Sequence, residues 1–310
     1  MDLHVHSVFS DGLLSPDMLC ALAVRQRVNV LALCDHDTAD GLAPMAEAVA
    51  ACRARGAAPE LIPGVELSAG ADGRTHILGY GVSPDSQPLR EAMALIRRNR
   101  VERGQAMLDA LKRLGVDVPT ESLPERDNPG MPLGRPHIGR ALVSLGKART
   151  LEEAFDRYIG DGRPAYVPLW HTTAAQAVSL LREAGAVPVL AHPSRMGLAP
   201  QMLEALIAEL QQAGLMGVEV FHPSASRRDI KALESLARRQ GLLVTGGSDF
   251  HGDQGSRARL GGLPPGWRDP PADLQALREA MRAVRAGVMN GAALGTGSRA
   301  AAATGDQPES

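Results

Sequence analysis

Little in this chain of 310 residues suggests a surface built to grip a polymer or a membrane. Aromatic residues make up only 3%, and 33 Lys+Arg nearly balance 35 Asp+Glu, for a formal net charge of -2. A protein that binds nucleic acid through a basic face interleaved with aromatic side chains needs more of both. Cysteine is scarce too. Cys20, Cys34 and Cys52 lie in apolar surroundings and form no C-x-x-C pair, which points to buried reduced thiols rather than a disulfide framework. No apolar run approaches the roughly 20 residues that span a bilayer, and no charged segment followed by an apolar one opens the chain. The expectation is a cytoplasmic protein with no membrane contact and no obligate protein partner.

What is present is a long alternation of strands and helices. Short Val/Leu-rich runs at 3–5, 28–34, 61–65, 77–82, 187–191, 218–221 and 242–245 read as strands buried on both faces. Most are separated by helical patterns. Ser15 and Pro16 open one as N-cap and first helical residue, and later ones end in glycine. The link between the third and fourth runs is too short for a helix, so that pair reads as a hairpin. The pattern predicts an α/β domain of barrel type. Between about 88 and 170 the alternation gives way to successive helices, with Leu89, Met93 and Ile96, then Met107, Leu111 and Leu114, at helical spacing. The expected organisation is a barrel of two parts, 1–87 and 171–287, a helical insertion subdomain at 88–170, and a disordered tail at 288–310.

The polar residues fall at revealing places on this map. "HVHSVFSDG" puts His4 and His6 two apart in the first strand, so both imidazoles point to one face. Asp11 follows. Asp35, His36 and Asp37 close the second strand and Glu66 ends the third; His76 opens the fourth, as it would if that strand ran the other way. His192, His222, and the pair Asp249 and His251 follow the fifth, sixth and seventh. Barrel enzymes assemble their sites from strand ends of this kind. One histidine at a strand end means little, but seven of nine, each near a carboxylate, would repel or stay poorly solvated without cations between them. Nitrogen and carboxylate donors without thiolate suit manganese, iron, zinc or cobalt.

In this order, "HVHSVFSDG", "DHD", "GVE", a histidine ten residues later, "AHP" and "SDFHG" resemble the PHP (polymerase and histidinol phosphatase) superfamily. The resemblance covers roughly residues 1–265. It implies a distorted seven-stranded barrel with a trinuclear metal centre, manganese first among the candidates. His4, His6, Glu66 and Asp249 would hold the first ion; Glu66, His76 and His192 the second; Asp11, His36 and His251 the third. Glu66, Asp11 and His192 would be catalytic through those metals. Asp35 or Asp37, flanking His36, would orient it from behind.

The resemblance also implies hydrolysis of phosphoric esters by hydroxide generated at the metals. "GRPHI", with Arg135 and His137, is similar to a segment of the subgroup that dephosphorylates 3′,5′-nucleoside bisphosphates or trims short oligonucleotides. Arg163, Arg195 and His222 complete the expected substrate contacts, since guanidinium groups bind phosphate oxygens in forked fashion. The expected partner is a small phosphorylated nucleotide or a short single-stranded oligonucleotide. The alternatives are a histidinol-phosphate phosphatase, which the helical insertion argues against, and a non-catalytic PHP binding module, which the full ligand set argues against. His171 receives no role.

Overall fold

The computed structural model describes residues 1–70, 75–123, 133–168, 172–252, 258–262, 264 and 273–295, and the side chains of these except at 120 and 288–295. One seven-stranded sheet runs in sequence order: β1 (Asp2–Val5), β2 (Val30–Leu33), β3 (Glu60–Ala69), β4 (Thr75–Tyr80), β5 (Val187–Leu190), β6 (Gly217–Phe221) and β7 (Leu243–Gly246). Pairs β1–β2, β2–β3, β5–β6 and β6–β7 are parallel. β4 is antiparallel to both its neighbours, the reversal expected from the short link before it. The sheet curls until its two edges meet at one rim: Val5 bridges to Phe250, and the His6 N–H donates to Phe250 O at 3.0 Å. The resulting (β/α) half-barrel matches the predicted class.

Helices α1 (Pro16–Arg25), α2 (Leu42–Ala54), α6 (Ala174–Glu183), α7 (Pro200–Gln212) and α8 (Arg227–Arg239) pack their apolar faces on the strands. Ser15 caps α1 as expected, its Oγ accepting from Met18 N–H with Pro16 in the first turn. A second cluster joins strand residues such as Leu3, Ile62 and Tyr80 to Leu277 and Val284 of α9 (Leu274–Gly295). α9 therefore crosses the expected start of the tail at 288. Residues 296–310 of that tail lie outside the described residues, as do 127–132 of the Pro/Gly-rich stretch and His171.

Among the described residues between β4 and β5 lie α3 (Gln87–Arg113), a short turn at Thr120–Ser122, α4 (Arg135–Ser144) and α5 (Leu151–Ala154), followed by one wide turn, Phe155–Ile159. This insertion has an apolar cluster of its own, including Met107, Leu111, Ile138, Leu142 and Ile159. It also touches the barrel rim, because Arg100 of α3 reaches Asp37 and Ser68.

Candidate metal centre

Each strand delivers its polar residue to the same rim. His4 lies in β1 and His6 just beyond it. His192 and His222 follow β5 and β6, and Asp249 and His251 follow β7. The antiparallel β4 brings His76 to this rim by its first residues. Glu66 departs from expectation: it sits inside β3, which continues to Ala69 to pair with β4, rather than at its end. The β2 loop follows β3 past the end of β2, with Glu66 N–H donating to Asp35 O and Asp37 N–H to Glu66 O. His36 is thereby fixed beside Glu66.

Glu66 is fully buried and central. Its Oε2 lies 3.1 Å from His4 Nε2, 3.2 Å from His6 Nε2 and 3.2 Å from His36 Nδ1. Its Oε1 lies 2.9 Å from His76 Nδ1 and 3.0 Å from His192 Nε2. Asp249 Oδ1 is 3.2 Å from His6 Nε2, and Asp11 Oδ1 is 3.2 Å from His251 Nε2. Among the described residues, donor atoms within 4.8 Å of one another form three groups: His4, His6, Glu66 and Asp249; His6, Asp11, His36 and His251; and His36, Glu66 and His76.

These residues fit divalent cations on an observation that hydrogen bonding does not explain. His4 Nε2, both ring nitrogens of His6, His36 Nδ1 and Glu66 Oε2 are buried without hydrogen-bond partners among the described residues, although they crowd together. Two ligands each about 2.1 Å from one ion, at tetrahedral to right angles, lie about 3.0–3.4 Å apart. The spacing around Glu66 Oε2 is of that size.

The electrostatics agree. Burial alone would raise the Glu66 carboxyl, but His36, His4 and His76 outweigh it and hold it well below its usual range. Burial opposes charge on His6 as well, yet Asp249 and Glu66 raise it to about 10. Burial lowers His36 to about 4. Without cations, then, the carboxylates draw protons onto His4, His6 and His251, whereas burial lowers His36 and His192, and metals would take the place of the protons held.

The supporting carboxylates act differently from expectation. Neither Asp35 nor Asp37 bonds the His36 ring. Asp35 accepts from Ser7 N–H, Ser7 Oγ and Ser10 Oγ, each at 2.7 Å, and so shapes the loop leading to Asp11. Asp37 accepts from Ser68 N–H at 2.8 Å and from Arg100. Their short side chains turn back to the neighbouring backbone, as Asp does in tight loops.

Sequence reading missed Glu219, which is fully buried in β6. Its Oε1 lies 3.0 Å from His4 Nδ1 and its Oε2 accepts from His192 N–H at 2.8 Å. The available signal was a lone acid inside the apolar run "GVEVF". Asp2 was missed too. It is buried and accepts from Ser248 N–H at 2.9 Å, from Ser248 Oγ, and from Gly261 N–H at 2.7 Å. Asp37, His192 and Asp249 have positive φ of 53°, 28° and 53°, strained backbone of the kind that gathers at functional sites. Gly247 presses against β1 so closely that a Cβ there would fall 2.3 Å from His4 Cβ.

The expected substrate contacts divide. Arg195 Nη1 is 2.7 Å from Asp249 Oδ2, and His222 Nε2 is 3.5 Å from the same oxygen, so both sit at the centre. Arg135 lies in the insertion, paired with Asp161 at 2.7 Å. The His137 Nδ1 accepts from Gly134 N–H at 3.1 Å, a local bond that caps α4. Arg163 is exposed on the turn after Ile159.

A family model, the PHP domain, matches residues 2–128. A 3′,5′-nucleoside bisphosphate phosphatase from Chromobacterium violaceum is 36% identical over 253 residues, covering 81% of this chain and 87% of that protein. The chain belongs to the PHP family. The 5′-3′ exoribonuclease Rnm of Escherichia coli is 34% identical over 251 residues, covering 81% of this chain and 84% of Rnm. Among solved structures, an amidohydrolase from Chromobacterium violaceum with bound sulfate and no metal superposes with a TM-score of 0.75 at 34% identity, covering 90% of this chain and 96% of that one.

Proposed function

We propose that this PHP protein is a metal-dependent hydrolase that removes a phosphate from a small nucleotide, first a 3′,5′-nucleoside bisphosphate to give the 5′-monophosphate. The observation that carries this reading is a set of eight ligand-type side chains gathered within reach of one another, Glu66 at their centre and His192 3.0 Å from it; His4, His6, His36 and Glu66 have buried nitrogen or oxygen atoms without hydrogen-bond partners among the described residues. The relatives' named substrates support the nucleotide. In our reading His4, His6, Asp11, His36, Glu66, His76, His192, Asp249 and His251 hold three cations, with manganese first. We read the chain as a barrel with a helical insertion at 88–170 and, given three free buried thiols, as cytoplasmic.

Divalent ions at such a centre lower the pKa of water and offset charge on the phosphoryl oxygens. The chain's own groups do the rest. Glu219 holds His4 with its Nδ1 engaged, so that Nε2 faces the centre. Arg195 stands ready to turn its guanidinium from Asp249 to a phosphoryl oxygen. His222 accepts the Ser224 N–H at Nδ1, 3.1 Å away, which leaves the proton on Nε2. That N–H faces the rim beside Asp249 and can donate to the phosphoryl group.

The test is phosphate release with added manganese from adenosine 3′,5′-bisphosphate, adenosine 5′-monophosphate, histidinol phosphate and a short oligoribonucleotide. The bisphosphate should give the highest kcat/KM; a lead for histidinol phosphate would overturn the substrate assignment. Rnm, an exoribonuclease similar over most of its length, favours a second reading in which the oligoribonucleotide is also trimmed.

A further inference from the structure

Outside the metal centre, α1 and α2 bring together two thiols that the hydrolysis does not use. Cys20 lies in α1, fully buried, and Cys52 in the last turn of α2, 5% exposed. The Cys20 S–H donates to the Cys52 sulfur. Cys52 also accepts from Arg55, whose Nη2 is 3.4 Å from the sulfur. Cys52 and Arg55 form part of the wall of a surface cleft of about 650 Å³, together with Asp17, Met18 and Ala21 of α1.

Most buried cysteines are inert apolar filling, and Cys34 is one: fully buried, its sulfur is 3.6 Å from Leu3 O. Cys20 and Cys52 differ from it by their asymmetry. Burial first, then the neighbouring sulfur, push the Cys20 thiol up to about 12, so it keeps its proton. The Cys20 S–H, helped by Arg55, holds the Cys52 thiol below its ordinary value although burial works the other way. The C-terminal dipole of α2 and the charge of Asp17 also oppose a thiolate there. The guanidinium and the S–H donor are what make one tenable. One sulfur is thus readied as a nucleophile on the cleft wall, and a protonated thiol stands behind it.

The cleft has room for a small organic disulfide beside the Cys52 sulfur. We propose that Cys52 and Cys20 form a redox-active dithiol, with Cys52 the attacking sulfur and a low-molecular-weight disulfide the oxidant. The Cys52 thiolate attacks one sulfur of that disulfide, whose S–S bond breaks; a mixed disulfide forms on Cys52 and one thiolate leaves. Cys52 then carries no charge to hold the Cys20 proton in place. The Cys20 sulfur attacks Cys52 Sγ and expels the second small thiolate, which takes up the Cys20 proton. The protein dithiol gives up two electrons, and the small disulfide receives them as it becomes two separate thiols. The new bond pins α1 to α2, the helices into which the loops bearing Asp11 and His36 lead. The site is independent of the phosphatase reading.

Two measurements on the metal-loaded full chain at pH 7 test it. Under brief exposure to iodoacetamide, peptide mapping should find Cys52 alkylated at least tenfold faster than Cys34, and Arg55→Gln should slow Cys52 roughly threefold. Incubation with oxidised glutathione should produce a Cys20–Cys52 disulfide that dithiothreitol reverses. Cys20→Ser should stop the reaction at glutathionylated Cys52, and Cys52→Ser should block both products. Three cysteines alkylated at one rate in the wild type, no Cys20–Cys52 bond after oxidised glutathione, or a bond to Cys34 instead would each overturn the proposal. The wild-type arms decide it even if a serine variant fails to fold.

Discussion

Glu219 and His4 meet in a fully buried contact, carboxylate oxygen to ring Nδ1 at 3.0 Å, while the other Glu219 oxygen holds the backbone N–H of His192. One acid thus fixes the ring of one proposed ligand and the main chain of another. Outer carboxylates of this kind typically contribute 10–100-fold to metal affinity. Glu219→Gln, nearly isosteric, should weaken manganese binding by about that factor while leaving the circular dichroism spectrum intact. Calorimetry checks it, and wild-type affinity in the variant would remove Glu219 from the support of the site.

His192 sits beside Glu66 and Glu219 at one edge of the cluster, 5% exposed. His192→Ala should lose one equivalent of metal by elemental analysis and most phosphatase activity, with cooperative unfolding preserved. Full metal content together with normal turnover would refute the ligand role.

The metal should compete with protons, and the sign follows from His6. Its pKa rises from 6.5 to about 10 in the folded protein. The stability gained from that proton is therefore complete below pH 6.5 and is lost as pH climbs through about 10. Cation binding must expel it, so apparent affinity should increase with pH across this window. His36, lowered to about 4, has no proton to yield at neutrality. Titrations at pH 7 in buffers of different ionisation enthalpy should detect proton release; none would contradict His6 as a ligand.

Asp2 is a structural clamp rather than a ligand. Replacing it with alanine strands the Ser248 and Gly261 donors, a loss of about 3 kcal/mol or more. Urea unfolding measures it. A cost below about 1 kcal/mol would mean that water or a neighbour takes over these bonds.

The centre was legible where chemistry coincided with strand ends. His4, His6, His36, His192 and Asp249 stand out because imidazole and carboxylate recur after apolar runs. Glu219 did not stand out, since an acid in mid-strand looks like a solvent-facing position until the sheet curls over it. Arg100 was hidden differently. "RRNRVER" reads as the wetted face of a long helix, and only the docking of α3 on the barrel brings this arginine to Asp37 and Ser68. Asp35 and Asp37 were noticed but misassigned, because their spacing to His36 is visible in sequence whereas the serines they grip lie about thirty residues away.

Asp2 and Ser248 are joined across 246 positions of chain. No partial chain emerging from the ribosome can contain this clamp until β7 and the loop after it have been synthesised. Closure of the pocket is thus a late, long-range event of the kind that slows folding. Until it happens the nascent His4 and His6 lack Asp249, so the cation loading we propose belongs to a chain synthesised past β7.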